Sequence, residues 1–151
     1  MTTTSSPTPD LQLVVGYDGS PPGNRALDAA IALLRGRTGR ITVVYVAHMY
    51  TAAMMSSGAV AEIEESFDEV EQELRSAAGE RLGGQESWGF ERREGLIPDE
   101  LLSVAEHTRD AHPNDEVVIV VGSSSHAMHR VVGSVAVSLA RHSPVPLVIV
   151  P

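Results

Sequence analysis

Two segments of the sequence carry residue types that suit a phosphorylated ligand, and the first runs Gly122-Ser-Ser-Ser-His-Ala-Met-His-Arg-Val-Val-Gly133-Ser134. Glycine lets a ligand approach the backbone closely, and a helix beginning near Gly133 and Ser134 would turn its N–H groups and positive dipole end toward a phosphate. The serine hydroxyls and Arg130 are further donors. The segment also suits a plain connector in which Ser134 caps the next helix, and the spacing alone does not choose between the two interpretations.

The second segment is Asp18-Gly19-Ser20, which follows an apolar run. A carboxylate in this place accepts hydrogen bonds from ribose hydroxyls in dinucleotide-binding folds. Taken alone, such an aspartate is more typical of a turn or of a helix start. Because the topology puts Asp18 and Gly122 at the ends of adjacent strands, we expect both residues to face one crevice.

Other chemistry is less well supported by the residues. His126 and His129 have a spacing seen in metal sites, but no third ligand is nearby, so we interpret them as polar loop residues. No Gly-x-Ser-x-Gly motif occurs, and no pair of carboxylates is placed for acid–base work. The sequence therefore predicts a binding protein with no catalytic residues and no metal ligands of its own.

Composition excludes several classes of function. The 151 residues include no cysteine and no lysine, and 11 basic against 20 acidic residues give a net charge of −9. Disulfides, thiolate metal sites, Walker A loops and lysine Schiff bases are thereby excluded. The acidic charge disfavours nucleic acid and membrane surfaces as partners. No apolar run reaches about 20 residues, and residues 1–10 lack the pattern of a signal peptide, which predicts a cytoplasmic protein with a disordered N-terminal tail.

Apolar periodicity predicts strands alternating with helices. The predicted strands are Leu11–Gly16, Ile41–Ala47, Ser87–Arg93, Glu116–Gly122 and Leu147–Val150. The predicted helices are Asn24–Arg35, Ala59–Leu82, Pro98–Asp110 and Gly133–His142. This order, with several strands apolar throughout, indicates an α/β fold with one doubly wound parallel sheet, helices on both faces and a ligand site beyond the carboxyl ends of the strands. We interpret His48–Gly58 as a mobile loop beside that site.

Three segments resemble the universal stress protein family: VVGYDGS at Val14–Ser20, ITVVYVA at Ile41–Ala47, and the stretch from Val118 to Val150. The third is the most specific, because the strand, the glycine-rich loop, Gly-Ser-Val and the closing Pro-Val-Pro-Leu-Val-Ile-Val come in the family's order. The resemblance implies one domain over residues 11–151. It also implies a Rossmann-like sheet of five parallel strands in the order 3-2-1-4-5.

The resemblance further implies an adenine-nucleotide site, with ATP as the first candidate ligand and Mg²⁺ as its companion ion. In nucleotide-binding members the phosphates meet a Gly-x2-Gly-x9-Gly-Ser/Thr pattern, the ribose meets an aspartate, and the adenine meets the end of the second strand. The residues of this chain that match are Asp18, Val46, Gly122, Ser123, Ser125, Gly133, Ser134 and Val135. Ser125 stands in place of the second glycine, and seven residues rather than nine separate it from Gly133.

The implied role is regulatory or stress-related, with any ATP hydrolysis slow and incidental. The family also implies a homodimer through Leu147–Val150, an apolar segment without charge whose edge position would leave backbone groups unpaired. The short loop after Gly122 favours an alternative, a nucleotide-free universal stress protein that acts as a dimeric protein-interaction module. An adenylate-transfer enzyme is a third alternative, but the chain lacks the lysine or histidine motif for it.

Overall fold

A computed structural model describes residues 8–47, 59–123 and 133–151. Its elements are β1 (Leu11–Gly16), α1 (Pro21–Leu34), β2 (Gly39–Ala47), α2 (Ala59–Leu82), β3 (Trp88–Glu94), α3 (Ile97–Ala111), β4 (Glu116–Gly122), α4 (Ser134–His142) and β5 (Leu147–Val150). All neighbouring strands pair in parallel, in the order β3-β2-β1-β4-β5. The doubly wound sheet, and the strand order that the resemblance implies, are therefore confirmed.

Two apolar layers sandwich the sheet. Leu13 and Val15 of β1 face the layer beneath α1 and α2, which includes Leu27, whereas Val14 faces the layer beneath α3 and α4, which includes Leu139. The three β1 residues are between 0% and 1% exposed. Burial on both faces explains why the central strands are mostly apolar instead of alternating with polar residues.

α1 begins three residues before the predicted Asn24. Ser20 is its N-cap, and the Ser20 hydroxyl accepts a hydrogen bond from the Gly23 N–H at 3.2 Å. Proline suits the first turn of a helix because its φ is already helical and no partner exists there for an N–H. The Pro21-Pro22-Gly23 run, predicted to belong to a loop, is therefore the first turn of α1.

β2 begins at Gly39, two residues before the predicted Ile41. Gly39 has a φ of +155°, and a Cβ at this position would lie 2.0 Å from the carbonyl oxygen of Leu11. The strand can start here only because the residue has no side chain.

Backbone hydrogen bonds fix the amino end of the sheet. The Asp10 carbonyl accepts from the Glu116 N–H at 2.9 Å, and the Leu11 N–H donates to the Thr38 carbonyl at 3.0 Å. Residues 1–7 of the predicted tail and the whole of the predicted loop 48–58 lie outside the described residues. Within the described ranges, no helix is both long enough and apolar enough to cross a membrane.

Candidate functional site

A cleft of about 170 Å³ opens at the carboxyl end of the sheet, beyond β1. The strand order reverses at β1, because β2 and β3 lie on one side of it and β4 and β5 on the other. Such a switch point is the usual ligand site in open α/β sheets. Four residues singled out from the sequence line it: Asp18, Val46, Gly122 and Val135. The sheet thus brings together residues that are up to 117 positions apart, from Asp18 to Val135.

The backbone of Val46 has no hydrogen-bond partner among the described residues. The carbonyl of Val44 accepts from the Tyr17 N–H at 2.9 Å on the β1 side, whereas the carbonyl of Ala47 accepts from the Gly95 N–H at 3.2 Å on the β3 side. Because alternate residues of a strand direct their N–H and C=O to the same side, Val46 faces the β1 side, beyond the point where β1 has ended. It offers one donor and one acceptor to the cleft.

Asp18 uses one carboxylate oxygen to shape the turn before α1. Its Oδ1 accepts from the backbone N–H of Ser20 at 3.0 Å and also from the Ser20 hydroxyl. The side chain is exposed, and Oδ2 has no hydrogen bond to any described residue. The turn interpretation of Asp18 therefore holds for Oδ1, while Oδ2 is directed to solvent or to a ligand.

Gly122 is required by the packing of β4 against α1. A Cβ on Gly122 would lie 2.1 Å from the carbonyl oxygen of Pro22 and 2.4 Å from its carbonyl carbon. Backbone atoms at that distance cannot move aside as a flexible side chain would. The first glycine of the pattern is thus explained by the fold, whether or not a ligand binds.

The N-terminus of α1 has no backbone donor for a ligand. Pro21 and Pro22 carry no N–H, the Gly23 N–H is bonded to the Ser20 hydroxyl, and the Asn24 N–H donates to the Ser20 carbonyl at 2.9 Å. Although this helix end borders the cleft, it cannot receive a phosphate through its backbone.

The N-terminus of α4 has free backbone donors as far as the described residues are concerned. Gly133 is its N-cap and makes no side-chain cap bond, and the Val137 N–H donates to the Gly133 carbonyl at 3.1 Å. The N–H groups of Ser134, Val135 and Ala136 have no partner among the described residues. Ser134 is the first helical residue, so the interpretation of Ser134 as the N-cap is wrong. N–H groups that no described residue engages, together with the helix dipole, make this end suitable for an anion.

The family model for universal stress proteins matches residues 12–151. The chain belongs to the universal stress protein family. A search of curated proteins found no significant match.

Solved structures share the fold of this universal stress protein. The universal stress protein UspA from Lactobacillus plantarum is 18% identical, with a TM-score of 0.74 over 95% of this chain and 99% of that chain. A universal stress protein in complex with cAMP is 21% identical, with a TM-score of 0.66 over 95% and 99%. A family member from Arabidopsis thaliana with AMP bound is 15% identical, with a TM-score of 0.60 over 93% and 90%.

Ser123 has less to offer this universal stress protein's cleft than the pattern suggests. Its N–H donates to the Val150 carbonyl at 2.7 Å, so only its hydroxyl remains as a donor. Gly133 and Ser134 stand at the open end of α4. Ser125, together with His126, His129 and Arg130, lies outside the described residues.

Sequence reasoning missed the apolar wall of the cleft. Ile97 and Leu101 of α3 line it beside Val44. They are four positions apart, so they share one face of the helix. That spacing, in the first turns of a helix that starts at the carboxyl end of a strand, was the available signal.

Tyr17 separates the cleft from the groove between α1 and α2. It is 4% exposed, and its hydroxyl donates to Oδ1 of Asn24 at 3.3 Å. Burial raises the pKa of Tyr17, the nearby Arg81 lowers it by less, and Asp18 adds a smaller increase. The phenol is therefore neutral at physiological pH and acts as a hydrogen-bond donor.

Proposed function

We propose that this universal stress protein binds an adenine nucleotide, with ATP as the first candidate, in the cleft at the carboxyl end of the sheet. The observation that carries the proposal is that the backbone N–H and C=O of Val46, beside an apolar wall, have no hydrogen-bond partner in the part of the chain that the structure describes. Both groups face the cleft, where a ligand can form these hydrogen bonds in place of water. A ligand with a matching edge would satisfy both groups.

Adenine has such an edge. Its N7 accepts a hydrogen bond and its 6-amino group donates one, whereas guanine presents two acceptors, N7 and O6, in the same place. The apolar side chains of Val44, Ile97 and Leu101 would contact the faces of the base. The donor and acceptor of Val46 therefore favour adenine over guanine on this edge.

The other parts of the nucleotide follow from the remaining groups around the cleft. Oδ2 of Asp18 would accept from the ribose hydroxyls, and the phosphates would lie toward the open N-terminus of α4, since that of α1 is closed. Among the described residues no group of three or more acidic or histidine side chains is arranged to hold a metal ion. Mg²⁺ would then be held mainly by phosphate oxygens and water.

The names of two structural neighbours support the ligand class. One of them is in complex with cAMP and another has AMP bound. Both are adenine nucleotides. We extend that ligand class to this chain because the unpaired groups of Val46 suit the same base.

The proposed role is regulatory or stress-related rather than catalytic. Asp18 is the one carboxylate among the described residues that line the cleft, and its Oδ1 already accepts from Ser20. No second acid is available there to activate water. We further propose a cytoplasmic homodimer formed through β5.

Calorimetric titration of the purified protein with ATP, with and without Mg²⁺, tests the proposal. GTP and an ATP analogue with a dimethylated 6-amino group serve as matched ligands, because each alters the edge that faces Val46 and leaves the ribose and phosphates unchanged. We expect ATP to bind and both matched ligands to bind at least about tenfold more weakly, as loss of one well-placed hydrogen bond implies. No binding at millimolar ATP would defeat the proposal.

A nucleotide-free interaction module is the second candidate, and two observations favour it. Gly122 is needed for packing on Pro22, so its presence does not require a ligand, and the Ser123 N–H is already bonded. Protein purified from cells without bound nucleotide, combined with a flat ATP titration, would select this candidate.

A further inference from the structure

Two hydrogen bonds and one close approach fix the carboxylate of Asp18 against the start of α1. Its Oδ1 accepts from the Ser20 N–H at 3.0 Å and from the Ser20 hydroxyl. A Cβ added at Gly23 would lie 2.9 Å from the same oxygen. Oδ1 is therefore enclosed by the first turn of the helix. Oδ2, the other oxygen of the group, is turned away from the helix, and Asp18 lines the cleft.

Ser20 is itself held in place by α1. Its hydroxyl accepts from the Gly23 N–H at 3.2 Å while it donates to Oδ1 of Asp18. Its carbonyl accepts from the Asn24 N–H at 2.9 Å. A hydroxyl has a single proton, and this one is directed to the carboxylate because a backbone donor occupies the opposite side of the oxygen. The helix therefore determines the position of Ser20, and Ser20 determines that of the carboxylate.

Gly23 leaves the room that this arrangement needs. It is buried, and a Cβ there would lie 3.3 Å from the backbone nitrogen of Asp18 and 3.3 Å from the ring of Tyr17, besides its close approach to Oδ1. A larger residue would push the carboxylate aside or open the turn. Glycine is a poor helix former, so its presence in the first turn of α1 is explained by the carboxylate that lies against it.

A carboxylate that is held before the ligand arrives binds more tightly than one that must be ordered. An exposed aspartate that rotates freely loses that freedom on binding, and the loss weakens the affinity for the ligand. Groups that position a binding residue in advance remove this cost. The gain applies only to ligands that donate to Oδ2 of Asp18, because other ligands do not use the carboxylate.

We propose that Ser20 is a positioning residue of the nucleotide site, and that Asp18 and Ser20 together restrict its ligands to nucleotides with free ribose hydroxyls. The inference rests on the proposed function and names the sugar that the site accepts. Ser20 acts through Asp18 and not through a ligand contact of its own. A nucleotide without hydroxyls at the 2′ and 3′ positions leaves Oδ2 without a donor.

Three substitutions separate positioning from support of the helix. Ser20→Ala removes the hydroxyl and leaves the backbone N–H that also donates to Oδ1 of Asp18. Ser20→Thr keeps a hydroxyl that can both cap the helix and donate to the carboxylate. Ser143→Ala is the matched control, because the Ser143 hydroxyl is likewise bonded at a helix end, where it donates to the Val145 carbonyl at 2.7 Å, and Ser143 lies outside the lining of the cleft.

Calorimetric titration of the wild type and the three variants with ATP and with 2′,3′-dideoxy-ATP measures the preference for the ribose. In the wild type, Ser143→Ala and Ser20→Thr we expect ATP to bind at least about tenfold more tightly, since the dideoxy sugar loses its bonds to a charged group. In Ser20→Ala this preference should fall at least about threefold. A serine that only supports the helix would affect both ligands equally. An unchanged preference in Ser20→Ala, or a lost one in Ser20→Thr, would therefore overturn the positioning role.

Three-bond couplings across the Cα–Cβ bond of Asp18 provide a second readout, in the protein without nucleotide. They should report one rotamer in the wild type, Ser143→Ala and Ser20→Thr, and an average over rotamers in Ser20→Ala. Averaging in the wild type, or a single rotamer in Ser20→Ala, would contradict the inference. A wild type that binds neither nucleotide would instead overturn the proposed function, and the restriction to ribose with it.

Discussion

Asp18 combines a structural contact with a proposed ligand contact through its two carboxylate oxygens. Oδ1 holds the turn that starts α1, so replacing the side chain with alanine would disturb the fold as well as the site. Asparagine keeps an oxygen for the Ser20 N–H and removes the charge. The substitution to asparagine therefore isolates the ligand contact.

We expect Asp18→Asn to weaken ATP binding about tenfold. A hydrogen bond to a charged group contributes about 1.5–3 kcal/mol, and 1.4 kcal/mol corresponds to a factor of ten. Asp28→Asn is the matched control, because it removes the same charge from an exposed residue of α1 that pairs with Arg81. Calorimetric titration of both variants makes the comparison, and equal affinities would contradict the role given to Asp18.

A second residue-scale prediction concerns Gly122. The Gly122→Ala variant should lose at least about 2 kcal/mol of unfolding free energy, because overpacking costs typically 1–3 kcal/mol and the atom in the way belongs to the Pro22 backbone. Gly84→Ala is the control, since a Cβ there meets no atom within 4 Å. Urea unfolding measures both variants, and a similar stability for the two would show that β4 and α1 can separate at this point.

At the scale of elements, the two edges of the sheet differ in how they are protected. β3 carries four consecutive charged residues, from Glu91 to Glu94, and Arg92 pairs with Glu94 at 2.9 Å. β5 has no charged residue and is half-buried along its length. Charge on an edge strand opposes pairing with another sheet, so β5 is the edge available for a second copy.

We expect Ile149→Pro to convert the protein from a dimer to a monomer without unfolding it. The carbonyls of Pro146 and Val150 accept bonds from Ile119 of β4 and from Ser123 just after it, so the alternation along the strand turns the backbone of Ile149 to the open edge. Proline there removes a donor that β4 does not use. Ile149→Ala keeps the N–H and is the control.

Sedimentation at micromolar concentration measures the outcome of the Ile149→Pro substitution. The wild type and Ile149→Ala should show about twice 16.1 kDa, and Ile149→Pro should show one chain. A monomeric wild type, or a dimer that persists with proline at this position, would exclude pairing through β5.

Much of the fold could be predicted because its signals are local. The bounds of β1, β4, β5 and α2 agree with the predictions, since apolar runs and glycine or proline mark their ends. The start of α1 was missed because Pro21 and Pro22 suit a turn as well as a first helical turn, and the Ser20 cap decides between them. Helix starts of this kind depend on a side-chain bond that composition does not reveal.

The site was only partly predictable because its remaining features are long-range. Asp18 and Gly122 follow apolar strands, and such positions can be recognised in the sequence. The unpaired backbone of Val46 depends on where its neighbour β1 ends, and the bonds from Arg25 to Ser123 and Pro151 span 98 and 126 positions of the chain. No local pattern encodes either feature.

At the scale of the whole molecule, the buried Tyr17 and the half-buried Tyr45 make stability depend on pH. Burial is the largest cause of the raised pKa of both Tyr17 and Tyr45. A nearby arginine lowers each pKa by less: Arg81 acts on Tyr17, and Arg92 acts on Tyr45. Asp18 raises both pKa values by a smaller amount. A raised folded pKa means that the native state holds its phenol proton more strongly than the unfolded chain does. The contribution of the two tyrosines to the unfolding free energy is fully present below pH 10.0, the ordinary pKa of tyrosine. It is lost as pH rises through the pKa values of the folded state.

We therefore expect the unfolding free energy to fall as pH rises above about 10. Urea unfolding at intervals from pH 8 to 11.5 measures the fall, and absorbance at 295 nm follows tyrosine ionisation. The variant with Phe at positions 17 and 45 should show a smaller fall than the wild type. An equal fall in both proteins would place the alkaline transition elsewhere in the molecule.

The central position of β1 has a consequence for the order in which the molecule forms during synthesis. β1 pairs with β2, whose first residue is Gly39, but its other edge waits for β4, which begins at Glu116. At ribosomal speeds of about 5–20 residues per second, the roughly 100 residues between the end of β1 and the start of β4 take roughly 5–20 s to emerge. For that interval β1, which is apolar apart from Gln12, has an unpaired edge that a chaperone or a neighbouring nascent chain can contact. The cleft cannot exist until the interval ends, because one of its walls is β4.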